Sequence, residues 1–228
     1  MSVRLCFVVE GQTEETFVQR LLVPHLSAFS VWARARCVLT GRKRGLQYRG
    51  GLQNYAKVQR DISVWMKEDR HPDVFFTTMF DLYALPNDFP GYADAFRERD
   101  PYRRVGMLEA ALSADIGDRR FIPYIQLHEF EALLLAEPHS LDLAFPERLE
   151  AIRALSETVE LFASPELIDD GSETAPSKRI IRQIPEYEGM KTFAGPLVAE
   201  KIGIETLRSK CAHFGEWLGT LERLGCFS

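Results

Sequence analysis

The sequence predicts an α/β fold in which a central, mainly parallel sheet is flanked by helices and followed by a helical C-terminal part. Three observations predict it. Through residue 137, short apolar runs rich in β-favouring residues alternate with longer segments of helical period. The first two of those runs end on a carboxylate, Glu10 and Asp81. From Pro138 onward only helical patterns recur. Strand–helix alternation argues a parallel sheet with right-handed crossovers and helices on both faces. The expected division is an α/β domain over 1–137 and a helical extension over 138–228 packed on it.

Val3 to Val9 reads as a buried strand, and Gly11 lets the chain turn into a helix with Thr13 as its N-cap. That helix runs to about Phe29 on a stripe of Phe17, Leu21, Leu22 and Leu26, and Pro24 should kink or divide it. Ser30 to Thr40 alternates as a strand with one basic side. Gly41 to Gly51 holds four glycines and four cations, Arg42, Lys43, Arg44 and Arg49, and reads as a mobile loop able to wrap a phosphate backbone. It lacks the ending of a P-loop. Leu52 to Arg70 is an amphipathic helix closed by His71-Pro72, and Asp73 to Phe80 is the second buried strand. Tyr92 to Asp115 is helical with a break near Pro101, and Phe121 to Leu127 is a third strand. Beyond it, helices are expected over 146–162, 177–184, 195–202, 204–211 and 214–224, with an acidic loop over 164–176.

The totals bound the function. A chain of 228 residues with 46% hydrophobic content suits one domain with an annex. The first apolar run is too short for a signal peptide and none spans a bilayer, so no membrane role is expected. The four cysteines lack zinc or CxxC spacing, which fits a reduced, cytoplasmic protein. Net charge is −5, yet residues 16–60 hold nine Lys and Arg and no Asp or Glu. Such a basic window can attract a polyanion or form a solvated face.

Three carboxylates at strand ends, Glu10, Asp81 and Glu131, converge at one edge of a parallel sheet, the edge where such sheets bind ligands. Asp88, Glu14 and Glu129 lie near them in sequence. Glu129 and Glu131 differ by two, so only one should face a shared site. Clustered acids repel and raise one another's pKa unless a cation neutralises them, and oxygen ligands suit Mg²⁺ or Mn²⁺. His128 and His213 read as packing histidines, and no Gly-x-Ser-x-Gly element supports a serine hydrolase.

The order strand–Glu-Gly–helix, then strand–Asp, resembles the TOPRIM fold of topoisomerases, primases and OLD-family nucleases. Leu127-His-Glu-Phe-Glu-Ala-Leu-Leu-Leu135 resembles an element of RloB-like TOPRIM proteins. The combination with Val9-Glu-Gly-Gln-Thr-Glu14, Phe80-Asp-Leu-Tyr83, Pro176-Ser-Lys-Arg179 and Gly195-Pro-Leu-Val198 is similar to an uncharacterised bacterial family of small TOPRIM-like proteins. The resemblance implies a TOPRIM-like sheet and a metal-dependent nuclease acting on DNA or RNA. Its metal would be held by Glu10, Asp81 and Glu131, with Asp88 or Glu129 as replacement ligands, and Lys178 would stand near the metal. It also implies an ATPase partner encoded nearby and a place in anti-phage defence. The TOPRIM pattern has Asp-x-Asp after its second acidic strand; here Tyr83 stands at the second position, leaving one or two metals open. A homo-oligomer is compatible with the sequence. A non-catalytic partner-binding module, using Phe89 and Tyr92 as exposed aromatics, is the alternative.

Overall fold

The computed structural model describes residues 2–43, 46–49, 52, 54–168 and 174–227, with side chains except at 39–43, 46–49 and 227. The first strand, β1 (Val3–Val9), leads into α1 (Gln12–Phe17), a π-helical turn over Val18–Leu22, and α2 (Val23–Ser27). The expected break at Pro24 is a change of helical pitch just before the proline, which falls in the first turn of α2 where its missing N–H costs nothing. The edge strand β2 (Val31–Cys37) follows.

Leu39–Lys43 (β3) and Leu46–Arg49 (β4) form an antiparallel hairpin with Arg42 opposite Gln47. The sequence reading made this stretch a loop. Its glycines masked a β-compatible framework of Leu39, Thr40, Leu46 and Tyr48. Arg44, and the side chains of Arg42, Lys43 and Arg49, lie outside the described residues.

The chain continues through α3 (Tyr55–Glu68), β5 (Val74–Asp81), α4 (Tyr92–Ala95) and α5 (Pro101–Ile116). The third core strand is split into β6 (Phe121–Ile122) and β7 (Ile125–Gln126), both parallel to β5. Pro123 has no N–H to give the ladder. The Thr78 hydroxyl bridges the gap, accepting the Tyr124 N–H and donating to the Tyr124 carbonyl, both at 2.9 Å. The remaining helices are α6 (Glu131–Leu134), α7 (Leu149–Val159), α8 (Pro176–Gln183), α9 (Tyr187–Ile202), α10 (Ile204–Lys210) and α11 (Ala212–Arg223). Among the described residues after Leu135 there is no strand, and none of the helices is long and apolar enough to cross a membrane. α9 begins eight residues before the predicted start at Gly195, and Pro196 lies within it.

The strands run β2–β1–β5–β6, with β7 also on β5, and every pairing in this sheet is parallel. Alternation along β1 divides the core. Leu5, Phe7 and Val9 face one layer with Phe17, Leu22, Phe130, Phe214 and Leu218. Cys6 and Val8 face the other with Ile62, Trp65, Phe76, Leu108 and Leu112. The connection leaving β1 therefore runs over the first face through α1, while the one leaving β5 runs over the second through α5. Between β1 and β5 the connections change face. That is a topological switch point, where a crevice opens at the carboxyl ends of the strands. Helices from the C-terminal part join the first core layer: Trp217 meets Phe7 edge-on at 5.8 Å and donates its indole N–H to Thr77 at 3.0 Å.

The aromatic pair proposed as exposed is not free. Phe89 is buried and packs edge-on against Tyr55 at 5.3 Å, while half-buried Tyr92 stacks on Phe96 at 4.1 Å.

Candidate active site at the switch point

The register between β1 and β5 pairs Val9 with Met79, so Glu10 leaves the sheet beside the residues that lead to Asp81. The Asp81 N–H approaches the Glu10 carboxylate at 3.4 Å. On the other side of β5, Asp81 is opposite Gln126, which brings the segment after β7 to the same crevice. That segment turns sharply at His128, whose φ of +61° is left-handed. The His128 carbonyl accepts the Tyr83 N–H at 3.1 Å, and its buried ring packs against Tyr83 at 5.3 Å. The turn explains why Glu129 and Glu131 both lie near the site. Glu129 precedes α6, so helical spacing does not separate the two.

Glu14 belongs to the cluster as well. α1 starts at Gln12 with Gly11 as its N-cap, two residues earlier than an N-cap at Thr13 would allow. The Glu14 carboxylate folds back to accept the Gly11 N–H at 2.9 Å, which buries it beside Glu10. Burial is the largest influence on these groups and mutual repulsion adds to it. Glu10 is pushed up to about 8 by burial and then by Glu14, Glu131 and Glu129. Burial and Glu131 push Glu14 up to about 7, against the pull of the Gly11 amide. Asp81 is raised well above the usual carboxylate range by burial, Glu10, Glu14, Glu131 and Glu129. Its Oδ1 is buried with no hydrogen-bond partner among the described residues.

Two residues that sequence reasoning did not single out complete the site. Both project from α9: the Tyr187 hydroxyl donates to Glu131 Oε1 at 3.2 Å, and Lys191 Nζ lies 3.3 Å from the same oxygen. Burial raises the Glu131 pKa and Lys191 pulls against it. Their i, i+4 spacing was the one signal available. Two further expected residues have these surroundings. Asp88 accepts the Tyr55 N–H at 3.0 Å, next to the Asn54 cap of α3. Lys178 is exposed on α8, one residue past Ser177, whose N–H binds Glu129 at 2.9 Å. His213 is packed: it stacks on Tyr124 at 5.1 Å and its Nε2 lies 2.9 Å from Glu109.

The donor chemistry fits a hard divalent cation: carboxylate oxygens only, one of them buried and unsatisfied, in a group that repels itself. Among the described residues, no three His, Cys, Asp or Glu side chains are placed to hold one ion as they stand.

These features define a class: a parallel α/β protein with a buried carboxylate cluster at its switch point and a lysine at the cluster's border. The chain belongs to the family described as Domain of unknown function (DUF4276), which it matches over residues 9–222. Among solved structures it is similar to the C-terminal region of the Burkholderia pseudomallei OLD protein, at 12% identity and a TM-score of 0.46, covering 99% of this chain and 100% of that one. It is similar also to the C-terminal region of the Xanthomonas campestris pv. campestris OLD protein, at 13% identity and a TM-score of 0.45, covering 99% and 97%. No curated protein matches the chain.

Proposed function

We propose that this protein is a divalent-metal-dependent nuclease that hydrolyses phosphodiester bonds in DNA or RNA. The observation that carries the reading is the buried, self-repelling group of Glu10, Glu14, Asp81 and Glu131 at the switch point, with Asp81 Oδ1 unsatisfied. A cation would offset the cost of burying those charges. Glu10, Asp81 and Glu131 would hold Mg²⁺ or Mn²⁺, with Glu14 and Glu129 beside them. Bound there, the ion supplies Lewis acidity and lowers the pKa of water. Glu10 would bridge to the metal or act as the base that takes the proton of an attacking water. Lys191 opposes the upward shift that burial gives Glu131 and would offer positive charge to a phosphoryl oxygen. The resemblance of the Glu10, Asp81 and Glu131 motifs to TOPRIM nucleases supports the same reading, and it alone supports an ATPase partner and a defence role.

The test is cleavage of DNA and RNA panels by wild type and Asp81→Asn in Mg²⁺, Mn²⁺ and EDTA, with and without an ATPase encoded nearby. Wild-type cleavage that EDTA and Asp81→Asn both abolish is the expected result. No cleavage under any condition, together with no metal binding by calorimetry, would instead make the protein a binding module of an ATPase system. Replacing Arg42, Lys43 and Arg44 by Ala should weaken nucleic-acid binding and lower its salt slope by roughly one per lost phosphate contact.

A further inference from the structure

We propose a second ligand site, for a small phosphate monoester, at the edge of the sheet opposite the acid cluster. A cleft of about 530 Å³ opens where α3 and α5 end and β5 and β6 begin. Its size lies within the range of small-molecule sites, roughly 300–1,000 Å³. Lys67, Arg70, Arg119 and Arg120 line it, with Met66 and Ile116 among its apolar residues.

Only one of the four cations is already neutralised. Arg120 forms a fork on Asp118, Nε to Oδ1 at 3.1 Å and Nη2 to Oδ2 at 2.8 Å, and donates Nη1 to the Asp69 carbonyl at 3.0 Å. It is a fixed wall. Of the neighbouring acids, Asp69 is paired with Arg4, while Asp73 lies 3.6 Å from His71, an ion pair only when that histidine is protonated. Lys67, Arg70 and Arg119 are exposed and form no ion pair among the described residues.

The C-termini of α3 and α5 account for part of this charge. Each presents about half a negative charge, roughly one in total. Lys67, Arg70 and Arg119 leave a positive excess over these helix ends, the sign that a phosphate monoester, about −1.5 to −2, calls for. A phosphodiester backbone carries only one charge per phosphate. Phosphate oxygens would meet Lys67, Arg70 and Arg119, and an apolar body such as a nucleoside base would lie against Met66 and Ile116.

Calorimetry on the full chain with inorganic phosphate, adenosine 5′-monophosphate and adenosine tests this. Phosphate and the nucleotide should bind wild type, the nucleotide more tightly, and adenosine should not bind. Lys67→Ser/Arg70→Ser/Arg119→Ser should lower nucleotide affinity at least tenfold while the variant keeps a cooperative thermal transition, since all three side chains are exposed. Asp81→Asn should bind the nucleotide like wild type, which separates this site from the acid cluster. Equal affinity in wild type and the triple variant would overturn the proposal, as would no binding to wild type. Equally effective competition by an oligonucleotide with a 5′-hydroxyl would overturn it too, in favour of a nucleic-acid surface.

Discussion

Lys191 and Glu131 face each other across the gap between α9 and α6, Nζ to Oε1 at 3.3 Å, and Tyr187 donates to the same oxygen from one turn earlier. One ammonium thus favours the anionic form of a carboxylate whose pKa burial among other carboxylates raises. Lys191→Met should raise the Glu131 pKa further, shift the pH–activity profile upward and lower kcat by about 100-fold, the loss typical of one electrostatic stabiliser. Tyr187→Phe removes one hydrogen bond, worth about 1 kcal/mol, and should have the smaller effect. Cleavage rates across pH 5–9 for both variants decide the matter, and an unchanged profile in Lys191→Met would separate this lysine from the chemistry.

The acid cluster sets a pH dependence of stability. Glu10 rises from 4.5 to about 8 and Glu14 to about 7 on folding, so the folded chain holds protons that the unfolded chain has lost. Stability then falls as pH rises from about 4.5 toward 8, by about 1.4 kcal/mol per pH unit for each such group. In EDTA, Tm should decline across that window, and Glu10→Gln or Asp81→Asn should flatten the decline. Mn²⁺ should raise Tm more at pH 8 than at pH 5. A wild-type Tm that climbs through the window would contradict the cluster's electrostatics.

The parts of this site legible in the sequence are those that a strand delivers. Val3–Val9 and Val74–Phe80 are mostly apolar, β-favouring runs, so the acids that follow them had to leave at the sheet's edge. Parallel pairing puts both departures at the same edge. What was not legible depends on side chains reaching across the fold. Glu14 suits the first turn of a helix on local grounds, and nothing local shows that its carboxylate turns back over Gly11. Lys191 is a lysine on a C-terminal helix like Lys178, and the packing of α9 against α1 and α6, which local sequence does not show, brings it to Glu131. Asp88 looked available until α3 was seen to start beside it.

Gly195 marks how closely α9 packs. A Cβ there would stand 3.1 Å from Phe130 Cε1, 3.3 Å from Thr13 Cγ2 and 3.4 Å from the Tyr187 hydroxyl. Alanine favours a helix by about 1 kcal/mol over glycine. The fully packed Phe130 ring leaves little room to yield, so Gly195→Ala should cost about 1–2 kcal/mol net and loosen the Tyr187–Glu131 bond. Thermal unfolding checks it; a raised Tm would show that the ring gives way freely.

Glu166 is a completely buried carboxylate with a structural task. It accepts the His213 and Phe214 N–H groups, each at 3.0 Å, and the Tyr102 hydroxyl at 3.2 Å. It therefore caps the first turn of α11 from a distance. Glu166→Ala leaves those donors unpaired and should cost about 3 kcal/mol. Glu166→Gln keeps an acceptor oxygen and should cost less, as urea titration of both would read.

Trp217 has a consequence for how the chain is made. Its indole is bonded to Thr77, 140 residues earlier, and stacks on Tyr124 at 4.0 Å. A ribosome delivers β1 and β5 long before it delivers the residue that covers them. At roughly 5–20 residues per second, one side of the nascent sheet waits about 7–30 seconds for its cover. During that interval Phe7 and its neighbours are the surface that a chaperone must shield, and overexpression at high temperature should first fail there.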